Sequence, residues 1–225
     1  MNIVLTTYNR YSYLNRSLNS LLKCDFENDK LWIYDDKSAP TTKVPDLLKS
    51  IKPPAGLEVE TELSKIHLGC DLRVFDSVRE TFEQTDDEFV FLLDSDGIYN
   101  PSWVAFVKDK INELFRASAH PIAALSIYNS DNHLIIEDYD RDLLEKNSMG
   151  GFALALNREV FYKINPSVVL PQHDSFSWDW QFVQIASSMG YKLLCSRQSY
   201  AQHVGVIGAH SNPSTFDQTS NFIGE

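Results

Sequence analysis

Short apolar runs alternate with stretches of helical period along most of this chain, and that alternation limits the fold more than any other feature. Residues 3–5, 31–34, 89–93, 123–128, 152–156 and 191–196 read as strands. Between them Leu14, Leu18, Leu21 and Leu22 fall at i, i+4, i+7 and i+8, one face of a helix. Leu72, Phe75, Val78 and Phe82 form a second stripe, Val104, Val107, Ile111 and Leu114 a third, and residues 182–189 a fourth. Pro45 opens a short helix carrying Leu47, Leu48 and Ile51, and Asn100-Pro101 supplies the N-cap and first position of the third stripe. Leu57, Val59 and Thr61 alternate with Glu58, Glu60 and Glu62, as in a half-buried strand. The unbroken run Phe89-Val90-Phe91-Leu92-Leu93 reads as a central strand covered on both faces. The expectation is a single Rossmann-like α/β/α sandwich over residues 1–225 with a mostly parallel central sheet. Segments 129–149, 165–177 and 205–225 lack clear periodicity and are expected to be loops.

Composition removes several function classes. Hydrophobic residues make up 43% of the 225, enough for a sizeable core, which excludes wholesale disorder. Twenty Lys and Arg against 31 Asp and Glu leave a net charge of −11, so nucleic acid is not an expected partner, nor is an anionic membrane surface. Cys24, Cys70 and Cys195 are far apart and show no zinc spacing, which suggests reduced thiols. No apolar run is long enough to span a membrane, and no signal peptide is visible before the first strand. A cytoplasmic location follows as an expectation, with peripheral association at a membrane compatible with it.

In a fold of this kind ligands sit outside the carboxyl ends of the strands. Polar residues cluster at three such ends: Thr6-Thr7-Tyr8-Asn9-Arg10, Asp35-Asp36-Lys37-Ser38 and Asp94-Ser95-Asp96. No GxGxxG and no GxxxxGK[ST] occurs, so phosphate must be held by another device. Two carboxylates two apart at the end of a buried strand can bind a hard divalent cation, which completes its shell with water and substrate phosphates. Such an ion stabilises a diphosphate leaving group. Asp94-Ser95-Asp96-Gly97 also resembles the first motif of haloacid-dehalogenase-type phosphatases, but Ile98 stands where Thr is usual and the motif lies far into the chain.

Residues 3–10, the leucine-rich stripe behind them and Asp35-Asp36-Lys37-Ser38 together resemble the opening of family 2 type glycosyltransferases. Residues 91–103 resemble their Asp-x-Asp strand and Pro-led helix, and residues 150–158 a later strand that supports the acceptor side. The resemblance implies a GT-A fold and an inverting, metal-dependent, hexosyl-type transfer from a nucleotide diphosphate sugar, UDP-linked by preference, to an acceptor hydroxyl. The implied cofactor is Mn²⁺ or Mg²⁺, and the acceptor a glycan or a lipid- or protein-linked group. By the same resemblance Thr6 and Tyr8 hold the base, Tyr8 by stacking, and Asp36 accepts from the uracil ring N–H. Arg73 lies near base and phosphates, Ser95 lies at the donor site, and Asp94 and Asp96 form the metal and diphosphate site. The first hundred residues or so then bind nucleotide and metal, and the remainder binds acceptor and supplies the base.

The family's acidic pair lies about eleven residues before the Gly of a Gly-Tyr, here Gly190-Tyr191, and the count reaches Asp179. Trp178 replaces the usual Glu and Gln181 a later acid, so a single carboxylate is left to take the acceptor proton. Asp174 is the fallback, and the N-cap of a helix is the plainer use of Asp179. Trp178 and Trp180 flank it, suited to a sugar face or to the core. Among six histidines, His203 after the strand at 191–196 is the candidate to complete the metal shell, with His210 second. The departures at Trp178 and Gln181 leave a non-catalytic nucleotide-sugar-binding module as the alternative, with a phosphatase or a sugar-phosphate nucleotidyltransferase further behind.

Overall fold

The structure is a computed structural model that describes residues 1–117, 122–164, 178–207, 213–214 and 216–224. The chain runs β1 (Asn2–Thr7), α1 (Tyr11–Leu21), β2 (Asp29–Asp35), a 3-10 turn, α2 (Val44–Lys49), β3 (Leu57–Leu63), α3 (Cys70–Gln84) and β4 (Phe89–Asp94). It continues with β5 (Gly97–Tyr99), α4 (Trp103–Ala117), β6 (Ile122–Ser126), β7 (Ile135–Asp138), β8 (Leu143–Lys146), β9 (Leu154–Asn157) and α5 (Arg158–Ile164). The last described elements are α6 (Trp178–Ser188), β10 (Lys192–Ser196) and β11 (Ala201–His203).

Among the described residues nine strands form one sheet in the order β3-β2-β1-β4-β9-β6-β10-β8-β7. β3, β2, β1 and β4 are parallel, β9 runs against both β4 and β6, and β8 against both β10 and β7. With β10 parallel to β6, only β9 and β8 oppose the other seven strands, so the sheet is mostly parallel in direction. The period-2 alternation sorts the core. Ile3, Leu5, Phe89, Phe91 and Leu93 pack in a cluster with Leu14, Leu48, Trp103 and Val107, from α1, α2 and α4. Val4, Val90 and Leu92 join Val78, Phe82, Phe161 and Phe182, from α3, α5 and α6, on the other face. Val90, Phe91, Leu92 and Leu93 have no exposed surface, as the continuous apolar run requires.

Several elements depart from the sequence expectation. Segment 129–149 carries β7 and β8, and α5 follows β9 directly. β10 is followed by β11, which pairs with β5 in a second, two-stranded sheet. The third helical stripe begins at Trp103 rather than Pro101. Asn100 still acts as a cap, its side-chain oxygen accepting the Ser102 N–H at 2.9 Å. β3 is an edge strand whose Leu57 alone is buried; Glu58 and Glu60 bind Lys30 at 3.0 and 2.8 Å. Asp174, His120, His173 and His210 lie outside the described residues. Among the described residues no helix is long and apolar enough to cross a membrane.

Candidate active site

The three polar strand ends lie side by side because β2, β1 and β4 are adjacent and parallel: Thr6 is in register with both Tyr34 and Asp94. They form one wall of a cleft of about 750 Å³. Thr6, Tyr8, Asp36, Arg73, Asp94, Ser95, Asp96, Asp179 and His203 all line this one cleft, although they come from opposite ends of the chain.

At one end of the cleft Asp36 is buried and fixes the entry to α3. Its Oδ1 accepts the Leu68 N–H at 2.8 Å, and its Oδ2 the Gly69 N–H at 2.9 Å. His67 Nδ1 stands 2.7 Å from the same Oδ2. The carboxylate keeps acceptor capacity beyond these three contacts, since its two oxygens offer about four lone-pair sites. His67 in turn stacks on Tyr8, with ring centroids 4.2 Å apart and 19° between planes, so one face of the Tyr8 ring is already covered. Asn9 turns the chain out of β1 in the left-handed region (φ 53°), which Asn tolerates better than most residues. Its side chain accepts the Ala39 N–H at 2.8 Å, tying the first strand end to the second. Arg73 lies under this end, its guanidinium 4.8 Å from the centre of the Tyr34 ring and 3.2 Å from Glu62 Oε1. Its Nε is buried with no hydrogen-bond partner among the described residues, a donor that a ligand's polar atom would satisfy.

In the middle of the cleft the two aspartates of Asp94-Ser95-Asp96 differ sharply. Asp96 Oδ2 is 2.6 Å from Arg10 Nη1 and 3.2 Å from His203 Nε2. Burial would raise its carboxyl, but His203 and Arg10 outweigh burial and hold it below the ordinary carboxylate range. His203 is raised by the same contact, against its own desolvation. Asp94 is pushed up to about 7, first by burial and then by the charge of Asp96. β11 makes the Asp96–His203 contact possible, since its pairing sets His203 opposite Gly97. Just beyond, a Cβ on Gly205 would lie 1.9 Å from Asp96 Oδ2, so only glycine lets the backbone pass there.

At the far end α6 begins at Trp178, and Asp179 sits in its first turn, where the helix dipole favours a carboxylate. Asp179 Oδ2 accepts the Gly151 N–H at 2.7 Å and Oδ1 the Trp180 N–H at 2.8 Å. A Cβ on Gly151 would meet the Trp178 ring at 2.9 Å, which explains the glycine before β9. Trp178 is buried in the core, while Trp180 is 44% exposed on the cleft. Cys70, which retains exposed surface, has its thiol pushed up to about 12 by desolvation and by Asp94, Asp71, Asp179 and Asp96. The same thiol thus feels the Asp94/Asp96 pair and Asp179 together.

Among the described residues, no group of three His, Cys, Asp or Glu side chains is arranged to hold an ion by itself. The donor set nevertheless fits a hard divalent ion. Asp94 and Asp96 are carboxylates at one strand end, Asp94 is short of positive charge, and His203 adjoins them. Mg²⁺ or Mn²⁺ bound there would draw further oxygen ligands from water and a diphosphate. Such an ion would compete with Arg10 for Asp96.

Sequence reasoning gave no role to Arg10, His67, Gly151 or Gly205. Arg10 lies inside the polar run at the end of the first strand, so its position was visible. The pairings of Arg10 with Asp96 and of His67 with Asp36 were not, because those contacts are made across the fold.

The sequence model of the glycosyl transferase family 2 matches residues 2–142. A search of curated proteins finds no significant match. Among solved structures, S. aureus TarS 1–349 in complex with UDP-GlcNAc superposes with a TM-score of 0.65 at 17% identity, over 93% of this chain and 59% of that one. The same fragment in complex with UDP gives a TM-score of 0.61 at 16% identity, over 89% and 59%. The mannosyltransferase PcManGT from Pyrobaculum calidifontis, in complex with GDP-Man and Mn²⁺, gives 0.55 at 14% identity, over 85% and 53%. This chain therefore spans somewhat more than half the length of these structures. At these identities the likeness bears on the fold, which is GT-A. With the family model covering well over half of the residues, the chain belongs to glycosyl transferase family 2.

Proposed function

We propose that this chain is an inverting glycosyltransferase that moves a sugar from a nucleotide diphosphate sugar, UDP-linked by preference, to an acceptor hydroxyl with Asp179 as base. The observation that carries the reading is the convergence of a polar end built on Thr6, Tyr8 and Asp36, the Asp94/Asp96 pair and one carboxylate in the first turn of a helix on a single cleft. UDP as the nucleotide is favoured by Asp36, whose spare acceptor capacity suits a ring N–H, and by the TarS complexes with UDP and UDP-GlcNAc. Tyr8 on its His67 backing offers the base a rigid two-ring platform. Thr6 and Ser95 border the ribose and diphosphate, and Arg73 offers its unsatisfied Nε to them.

The metal would be held by Asp94 and Asp96 with His203 beside them, and it supplies charge stabilisation to the departing diphosphate. The chain's own groups do the rest. Asp179 takes the proton of the attacking hydroxyl, and attack from the face opposite the diphosphate inverts the anomeric centre. The Gly151 N–H, at the start of α6, orients Asp179 for that task. Residues up to about 100 form the donor half and the remainder the acceptor half, except that His203 crosses back to the donor side. A non-catalytic module of the same fold is the second reading, favoured by Trp178 and Gln181 standing where acids are usual.

A thermal-shift screen of nucleotide sugars with and without Mn²⁺ tests the donor assignment. Mn²⁺ is expected to strengthen UDP binding at least tenfold, and Asp96→Ala to abolish that gain. UDP binding that ignores both the metal and the substitution would refute the metal assignment.

A further inference from the structure

Beside the acceptor end of the cleft, next to the lining residues Gly150 and Trp180, stands a histidine that neither the motifs nor the proposed mechanism uses. His133 stands in the turn before β7, and its Nδ1 is 2.9 Å from Ser148 Oγ. Ser148 Oγ donates to Asn147 Oδ1 at 3.1 Å, so it receives the Nδ1 proton rather than giving its own. The imidazole is thereby set in the tautomer whose Nε2 carries a lone pair. Burial favours this neutral form, outweighing the opposite pull of Asp217 and Asp179.

The ring is also held in place. Lys146 is buried and donates to the carbonyls of Ser130 and His133 at 3.0 and 2.9 Å. Ser130 Oγ binds Asp217 at 2.7 Å, which anchors the same turn from the other side. Such support is what a binding side chain needs to keep its geometry.

Glycine at 150 opens a space that this nitrogen shares with the proposed base. A Cβ there would lie 3.9 Å from His133 Nε2 and 3.9 Å from Asp179 Oδ2. The half-exposed Trp180 ring stands beside them, its centroid 6.1 Å from that of His133. Two hydrogen-bond acceptors and an aromatic face therefore border one space at Gly150, a residue that lines the cleft. Resting on the reading of Asp179 as base, we infer that His133 and Trp180 complete a subsite for a neutral sugar or polyol, two of whose neighbouring hydroxyls donate to Asp179 and His133.

The chemistry narrows the acceptor. A phosphate or carboxylate would face the carboxylates of Asp179 and Asp217, both of which act on His133. A lone serine or threonine hydroxyl would satisfy Asp179 and leave His133 unused. A carbohydrate ring offers vicinal hydroxyls on its edge and C–H groups on its face, matching the two acceptors and the Trp180 ring. In that arrangement His133 binds the hydroxyl next to the attacking one and so selects which hydroxyl reaches Asp179.

The test uses the full chain with UDP and Mn²⁺, and probes it by saturation-transfer NMR with methyl α-glucopyranoside, methyl α-mannopyranoside and N-acetylserinamide. At least one glycoside is expected to bind and the serinamide not. His133→Ala should weaken that glycoside about five- to tenfold, as loss of one buried hydrogen bond does. Trp180→Ala should weaken it as well. UDP affinity and melting temperature should stay within error in both variants, which excludes a merely structural effect. One monodeoxy analogue of the glycoside should bind the parent and His133→Ala alike. Equal glycoside affinity in parent and His133→Ala, serinamide binding as tight as the glycosides, or no glycoside bound while UDP is, would overturn the subsite. Glycoside binding that depends on His133 in a chain that binds no nucleotide sugar would keep the subsite and remove the transferase reading.

Discussion

Two aspartates separated by a single serine occupy opposite electrostatic states. Asp96 is compensated by Arg10 and His203, whereas Asp94 is pushed up to about 7 by burial and by Asp96. The sequence makes the Asp94-Ser95-Asp96 pair legible but not this division of labour, because His203 arrives from 107 residues away. Two predictions follow at this scale. Asp94 binds its proton more tightly folded than unfolded, so its contribution to stability is lost as pH rises from about 4 through about 7. The metal-free protein should therefore melt lower at pH 8 than at pH 5 through this group, and Asp94→Asn should flatten that dependence; a parallel profile in the variant would contradict it. Arg10→Ala should tighten Mn²⁺ binding in the absence of nucleotide about fivefold, since the ion no longer competes with a part-exposed ion pair worth about 1 kcal/mol. Manganese EPR titration reads this directly, and unchanged affinity would show that Arg10 does not guard Asp96.

At the scale of elements, the long strands and helices were readable because each carries a full period of apolar residues. The elements that complete the site were not. β5 and β11 have three residues each, too few for a period to show. β7 is exposed throughout and has no buried face to mark it, and α5 is only seven residues long. Yet β11 against β5 delivers His203, and the chain leaving β11 packs on Asp96. Gly205→Ala tests that packing: its Cβ would fall 1.9 Å from Asp96 Oδ2 and 2.8 Å from Arg10 Nη2. The variant should stay folded, because the contact lies on the cleft rather than in either core cluster, and should lose most of the Mn²⁺-dependent gain in UDP affinity. Retention of the full gain would mean that the segment after β11 has room to yield.

Over the whole molecule, the reversed strand β9 divides the sheet into a four-stranded parallel half and a mixed half. Gly151 before β9 lets the start of α6 approach its backbone, which sets Asp179 across the cleft from the Asp94/Asp96 pair. The α/β alternation foretold the layers and the strand-end position of the cleft, but not β9's reversal, since an apolar run carries no direction. The net charge of −11 bears on the site only locally, through Arg10, His203 and Arg73. The central claim is that this geometry makes Asp179 the base of a sugar transfer. The direct measurement compares Asp179→Asn with the parent for UDP affinity and for UDP release from the nucleotide sugar that stabilises the parent most, in the presence of a glycoside acceptor. UDP affinity should be unchanged within about twofold and turnover reduced by roughly 10²–10⁴. Turnover at the parent rate would place the base elsewhere and contradict the account.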